Sequence, residues 1–155
     1  MLWRDFERAA PALAHAARER LEATGIAFLG TLRADGSPRI SPIEPYFAPD
    51  ALLLGAMARS LKARDLLRDP RCVLHSVVSA PDAGEPEFKL YGTAVEVGDA
   101  PAAAWWASHP PEVARVFSLS IDVAASVAWA IERGEMTVTR WSAADGLVEE
   151  TRRYP

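Results

Sequence analysis

Residues 59–71, RSLKARDLLRDPR, hold five basic and two acidic side chains in a chain whose net charge is −4. Lys62 and Lys89 are the only lysines among 17 basic residues, and a lysine ammonium is a compact point charge suited to phosphate. Ser60 reads as an N-cap, residues 61–68 as a short helix, and Asp69-Pro70 as its stop. A helix start presents unpaired N–H groups and the positive end of the dipole. The Ser60 hydroxyl, those N–H groups and the Lys62 ammonium would then form an anion site. The same residues also read as an ordinary cap, with Arg59, Lys62 and Arg64 as solvated surface charges. Charge and capping alone favour that second reading.

A weaker candidate is residues 38–45. Pro42 and Pro45 free neighbouring carbonyls, and the strand could lie against a flat heterocycle or simply be a protected edge. Other chemistry finds little support. His15, His75, His109 and Cys72 lack metal-ligand spacing, and His75 reads as structural. No G-x-S-x-G elbow or Gly-rich phosphate loop is present. Glu44, Glu85, Glu87 and Glu96 are not spaced as an acid/base pair. No residue is assigned as a catalytic acid or base.

The elements that must position these groups belong to one domain spanning 1–155, half of it apolar. Its longest stretch without a charged side chain, residues 100–111, is too short to cross a membrane and holds three prolines. The first residues, MLWRDFERAAP, lack a secretory apolar core. One cysteine cannot form an internal disulfide, which suits a reducing cytoplasm. The acidic balance gives no general attraction to nucleic acid or anionic lipid.

Apolar periodicity predicts a helix over 4–22, interrupted or started at Pro11, within an N-terminal helical segment 1–24. Alternation then predicts strands at 26–33 and 38–47, joined by the Asp35-Gly36 turn. The prolines make the second an edge or bulged strand. The run ALLLGAM, residues 51–57, is apolar on both faces, as in a barrel strand covered from outside. Strands follow at 72–79 and 87–97, a helix around Trp105 and Trp106 within 100–116, and strands within 117–132 and 136–142. Residues after Gly146 receive no assignment. Trp105, Trp106, Trp129 and Trp141 read equally as core or as interface anchors. The fold class is mainly β with flanking helices, an antiparallel barrel of six to seven strands.

The hairpin DGSPR at 35–39, the S-x-K-A-x-x-L at 60–66 and the DPR at 69–71 occur in this order, followed by EFKLYGTAVEV. Over roughly residues 25–97 the chain thereby resembles the pyridoxamine 5′-phosphate oxidase-like flavin-binding split-barrel family. The resemblance implies a homodimer with a flavin at each end of the shared interface. It implies that Ser60 and Lys62, with Arg59 nearby, hold the flavin phosphate. Arg39, Ile40, Ser41 and Pro42 would line the isoalloxazine, with Ala56 and Met57 at the end of the third strand. Glu87 and Lys89 would approach the ribityl chain and ring edge.

Departures from the family pattern separate the chain from a true pyridoxamine-phosphate oxidase. Leu61 replaces the first member of a basic pair, and Glu44-Pro45 stands where a strand should end in lysine. WWASHPPEVAR offers only Arg115 for a substrate phosphate, and TRRYP lacks the Arg-x-His segment. The expectation is a cytoplasmic, dimeric, FMN-dependent oxidoreductase acting on an unknown small molecule, without metal, nucleic-acid or membrane partner. Deazaflavin F420 is the alternative cofactor, with Arg59, Arg64 and Arg68 as its basic groove. A non-catalytic flavin or heme carrier is the reading from a different class. Glu44 lends it support by repelling a reduced anionic flavin.

Overall fold

The computed structural model describes residues 1–78, 84–98, 103, 105 and 113–153. The N-terminal helix is divided at Pro11 into α1 (Trp3–Ala9) and α2 (Pro11–Thr24). Pro11 occupies the first turn of α2, where a missing N–H breaks no intrahelical bond. Trp3 and Phe6 of α1 and Leu13, Ala17 and Leu21 of α2 are buried in one core with the barrel. Trp3 meets Phe47 edge-on at 4.7 Å, and Phe6 meets Trp141 at 5.1 Å, so Trp141 is a core residue.

Eight strands follow: β1 (Ala27–Leu32), β2 (Pro38–Phe47), β3 (Leu52–Met57), β4 (Arg71–Ser76), β5 (Glu87–Glu96), β6 (Ala114–Ala130), β7 (Glu135–Ser142) and β8 (Gly146–Arg153). The helix α3 (Leu61–Arg68) links β3 to β4. The sheet runs β3-β2-β1-β4-β5-β6-β7-β8, with every pairing antiparallel. An additional β3–β6 pairing closes the first six strands into a barrel. β6 makes this possible by changing partners: residues 114–119 pair with β3 and residues 123–130 pair with β7. A β-bulge accompanies the change. Tyr91 lies opposite Val123 but Gly92 opposite Ile121, leaving Asp122 unpaired. A β-carbon on Gly92 would lie 1.8 Å from the Ser120 carbonyl oxygen, so only glycine fits there.

Leu29, Leu52, Leu54, Leu74, Leu90 and Leu119 fill the barrel, each fully buried or within 2% of it. Burial of each such side chain stabilises the fold by about 1.5–3 kcal/mol. The opposite face of the sheet is less covered. Ile40, Gly30, Val73, Tyr91 and Val123 form one row across β2-β1-β4-β5-β6 by their register, with Ile40 75% and Tyr91 42% exposed.

Four expectations change. The unassigned tail is β8, which with β7 extends the sheet to eight strands beyond the six of the barrel. Its strand is exposed along its whole length, so its sequence carries no buried alternation to read. β2 is not a sheet edge, but residues 38–43 pair only with β1 and residues 44–47 only with β3. Each half thus keeps one open side, which accommodates Pro42 and Pro45. β4 ends at Ser76, before the expected residue 79. Residues 103 and 105 are helical, residues 114–116 belong to β6, and the rest of the expected 100–116 helix, with Trp106, lies outside the described residues.

Candidate functional site

Ser60 caps α3 as its residue type requires, its Oγ accepting from the Ala63 N–H at 3.3 Å. Two residues on, the Lys62 ammonium donates to the Pro42 carbonyl at 2.6 Å. That carbonyl lies on the half of β2 that β3 does not cover. Burial lowers the Lys62 pKa below the ordinary lysine value, and the Glu44 carboxylate partly opposes this.

Lys62 and Arg59 stand at the polar end of a cleft of about 910 Å³. Glu44 lies beside them, and Ile26, Pro42, Ala56, Met57, Val113 and Trp105 supply apolar wall. This combination of apolar wall and few polar groups is typical of small-molecule sites. A cation facing a helix start, joined to an apolar slot, accepts a ligand with an anionic end and a flat apolar body. Ile26, Pro42 and Glu44 have the parity of the open sheet face, the side on which Ile40 lies.

Of the residues singled out by sequence, Pro42, Ala56, Met57, Arg59 and Lys62 line this cleft. Ser60 lies between two of them as the cap. Arg39 does not reach it. Its guanidinium pairs instead with Asp65 of α3 at 2.6 Å, and Thr31 Oγ1 donates to the same carboxylate oxygen at 3.0 Å. Arg68 pairs with the other oxygen at 3.4 Å and also donates to the Leu32 carbonyl. Burial works to raise the Asp65 pKa, but the hydrogen bonds from Arg39, Thr31 and Arg68 with the Arg39 charge outweigh it and hold the carboxyl below its usual value. Ile40 projects from the open sheet face, and Ser41 is half-buried outside the cleft.

Glu87 and Lys89 also lie outside the cleft, ion-paired with each other on β5. His75 joins them with Nε2 3.5 Å from Glu87, its Nδ1 against the Ser76 carbonyl at 2.6 Å. Among the described residues no three His, Cys, Asp or Glu side chains converge as a metal site. Gly55 and Val113 are cleft residues that sequence reasoning passed over, and Trp105, read there as core or interface anchor, also lines the cleft. Gly55 carried a usable signal, since a glycine inside an apolar strand marks a close approach.

A family profile for pyridoxamine 5′-phosphate oxidase matches residues 13–129. The chain belongs to the pyridoxamine 5′-phosphate oxidase family. No curated protein matches it. Among solved structures, PhzG from Burkholderia lata 383, in complex with tetrahydrophenazine-1-carboxylic acid, is similar with a TM-score of 0.71 at 14% identity, over 97% of this chain and 93% of that one. A pyridoxamine 5′-phosphate oxidase-related, FMN-binding protein from Nostoc punctiforme PCC 73102 gives 0.64 at 13% identity, over 94% and 97%. A heme-binding protein from Mycobacterium smegmatis gives 0.60 at 14% identity, over 92% and 88%. These likenesses establish a shared oxidase-family fold. The family's barrel accordingly hosts neighbours with different ligands, and the ligand here must be argued from the cleft.

Proposed function

We propose that this protein is a homodimeric FMN-binding oxidoreductase acting on a small molecule. The observation that carries the reading is the Lys62 ammonium, with Arg59 and Glu44, on the lining of a mostly apolar cleft beside the start of α3. FMN fits this donor set: Lys62, with Arg59, would hold the phosphate, and the apolar wall would hold the ring. When bound, the cofactor supplies hydride or electron transfer. The chain's own residues bind and orient it, and the apolar lining excludes water from the reacting face.

A second copy of the chain seated on the open sheet face would cover the exposed Ile40 and Tyr91 of that row and the exposed Phe28 beside it. It would also lie beside Pro42 and Glu44, cleft residues with the parity of that face. Glu87 and Lys89, remote from the cleft in one chain, would then contribute only across such an interface.

FMN is favoured over F420 by the state of the basic residues on and just before α3. Arg68 is tied to Asp65 and Leu32, which leaves a polyanionic tail Arg59 and Arg64 alone. The deciding experiment is the visible spectrum of the purified protein, followed by titration with FMN and with F420. A bound yellow flavin, or FMN affinity that Lys62→Glu lowers at least ~10-fold with the dimer intact, is the expected result. A preference for F420 or a Soret band on adding heme would replace FMN by that cofactor. Binding of none would refute the reading.

A further inference from the structure

One wall of the cleft is set by a side chain that is missing. A β-carbon on Gly55 would lie 1.9 Å from Cζ2 and 2.3 Å from Cη2 of Trp105, far inside van der Waals contact. The indole therefore rests directly on the backbone of β3. Trp105 is 9% exposed, packs with Leu53 and Val116, and meets Tyr46 edge-on with ring centres 6.4 Å apart. The same ring lines the cleft, as does Gly55 beneath it. Trp105 is thus locked from behind by packing and presented to the ligand in front.

We propose that Trp105 is the specificity-determining residue of the cleft. Gly55 lets the indole sink against β3, and the resulting position fixes how much room a flat ring has. A planar heteroaromatic ring lying in the slot contacts the indole, while its anionic group faces Lys62. The ligand class is a planar heteroaromatic phosphate; the inference rests on the cofactor reading above and adds the residue that sizes the ring. Any side chain at position 55 would push the indole into the slot, because the strand behind it is closed into the barrel by β6 and cannot yield.

The test uses Gly55→Ala, Trp105→Leu and the double variant, with riboflavin and FMN as probes and circular dichroism to verify folding. Gly55→Ala should weaken both probes by the same factor, about tenfold, because only the ring is disturbed. Trp105→Leu should also weaken both, by a few-fold to ~10-fold, through loss of the aromatic contact. Adding Gly55→Ala to Trp105→Leu should cost less than about twofold further, since the clash partner is gone. Should Gly55→Ala not fold, the Trp105→Leu variant and the double variant carry the test. Affinities unchanged in Trp105→Leu, or a Gly55→Ala effect that persists in the double variant, would overturn the proposal.

Two controls separate this inference from the phosphate reading. FMN binding that Lys62→Glu weakens while the Trp105 and Gly55 variants leave it unchanged removes the sizing role alone. Riboflavin binding as tight as FMN, yet sensitive to both variants, removes the phosphate site alone. Binding of neither probe by the unaltered protein overturns both.

Discussion

Arg39 Nε donates to Asp65 Oδ2 at 2.6 Å beneath α3, and both side chains are largely buried. The contact joins β2 to the helix whose start carries Ser60 and Lys62. Thr31 and Arg68 complete the cluster, so the carboxylate binds the β1–β2 hairpin to α3 at several points. The arginine that the resemblance assigns to the flavin ring is therefore engaged in holding α3 in place.

Removing the carboxylate charge should be costly. Asp65→Asn leaves the Arg39 guanidinium buried without its counter-ion, and breaking such a pair costs about 3–5 kcal/mol. Urea denaturation at pH 7 should show a loss of this size, with a smaller effect on FMN affinity than Lys62→Glu. An Asp65→Asn protein as stable as the original would show that the cluster does not anchor α3.

The same carboxylate gives a signed pH dependence. Its folded pKa is depressed, so its stabilising contribution is complete above the ordinary carboxyl pKa, about 3.9. That contribution is lost as pH falls through the lower folded value. Acid denaturation followed from pH 7 to pH 2 should therefore be steeper in the original protein than in Asp65→Asn. Parallel acid limbs would assign the pH dependence to other carboxylates.

Lys62 predicts the behaviour of the ligand on the alkaline side. Burial lowers its pKa, so it begins to lose its proton below the usual lysine value, 10.5. A bound phosphate favours the ammonium, and binding in that window takes up a proton. FMN affinity should fall as pH rises through the depressed pKa, and Lys62→Arg should postpone the fall, since a guanidinium stays charged. Equal alkaline profiles for the two proteins would exclude Lys62 as the phosphate's partner.

The open sheet face makes its own prediction. Ile40→Glu puts a charge at the most exposed position of the apolar row and should shift the protein to monomer in analytical ultracentrifugation. Leu67→Glu, on the exposed side of α3, should leave the oligomeric state unchanged. If Ile40→Glu has no effect, a second copy does not bind through this face.

Cys72 should be unreactive in the folded protein. Burial pushes its thiol up to about 12, with a small further push from Asp122. Since the thiolate is the reacting form, alkylation at pH 8 should be at least ~1000-fold slower than for a free cysteine near pKa 8.5. Denaturant should restore the ordinary rate. Rapid labelling in native buffer would mean that the barrel wall around Cys72 opens readily.

Local chemistry was legible in the sequence wherever a short segment decides its own structure. Ser60 as cap, residues 61–68 as helix, Asp69-Pro70 as stop and the Asp35-Gly36 turn all depend on side chains bonding to backbone a few residues away. Alternation likewise marked β1 as a strand, but packing decided which face is inner: Ala27, Leu29 and Thr31 are buried while Phe28 is exposed. β8 was not legible for the converse reason: it buries neither face, and its hydrogen bonds to β7 leave no mark on residue type.

Tertiary structure alone decided which distant residues meet. Arg39 and Asp65 are 26 positions apart, and their pairing depends on the path of β3 between them. Gly55 and Trp105 come together only because the barrel closes through β3 and β6, which gives the indole a surface to rest on. The sequence by itself determined that an anion site stands at the start of a short helix or that a serine merely caps it. It could not choose between them, since a lysine becomes a ligand-binding group only when burial and a neighbouring cleft concentrate its charge, and both are properties of packing.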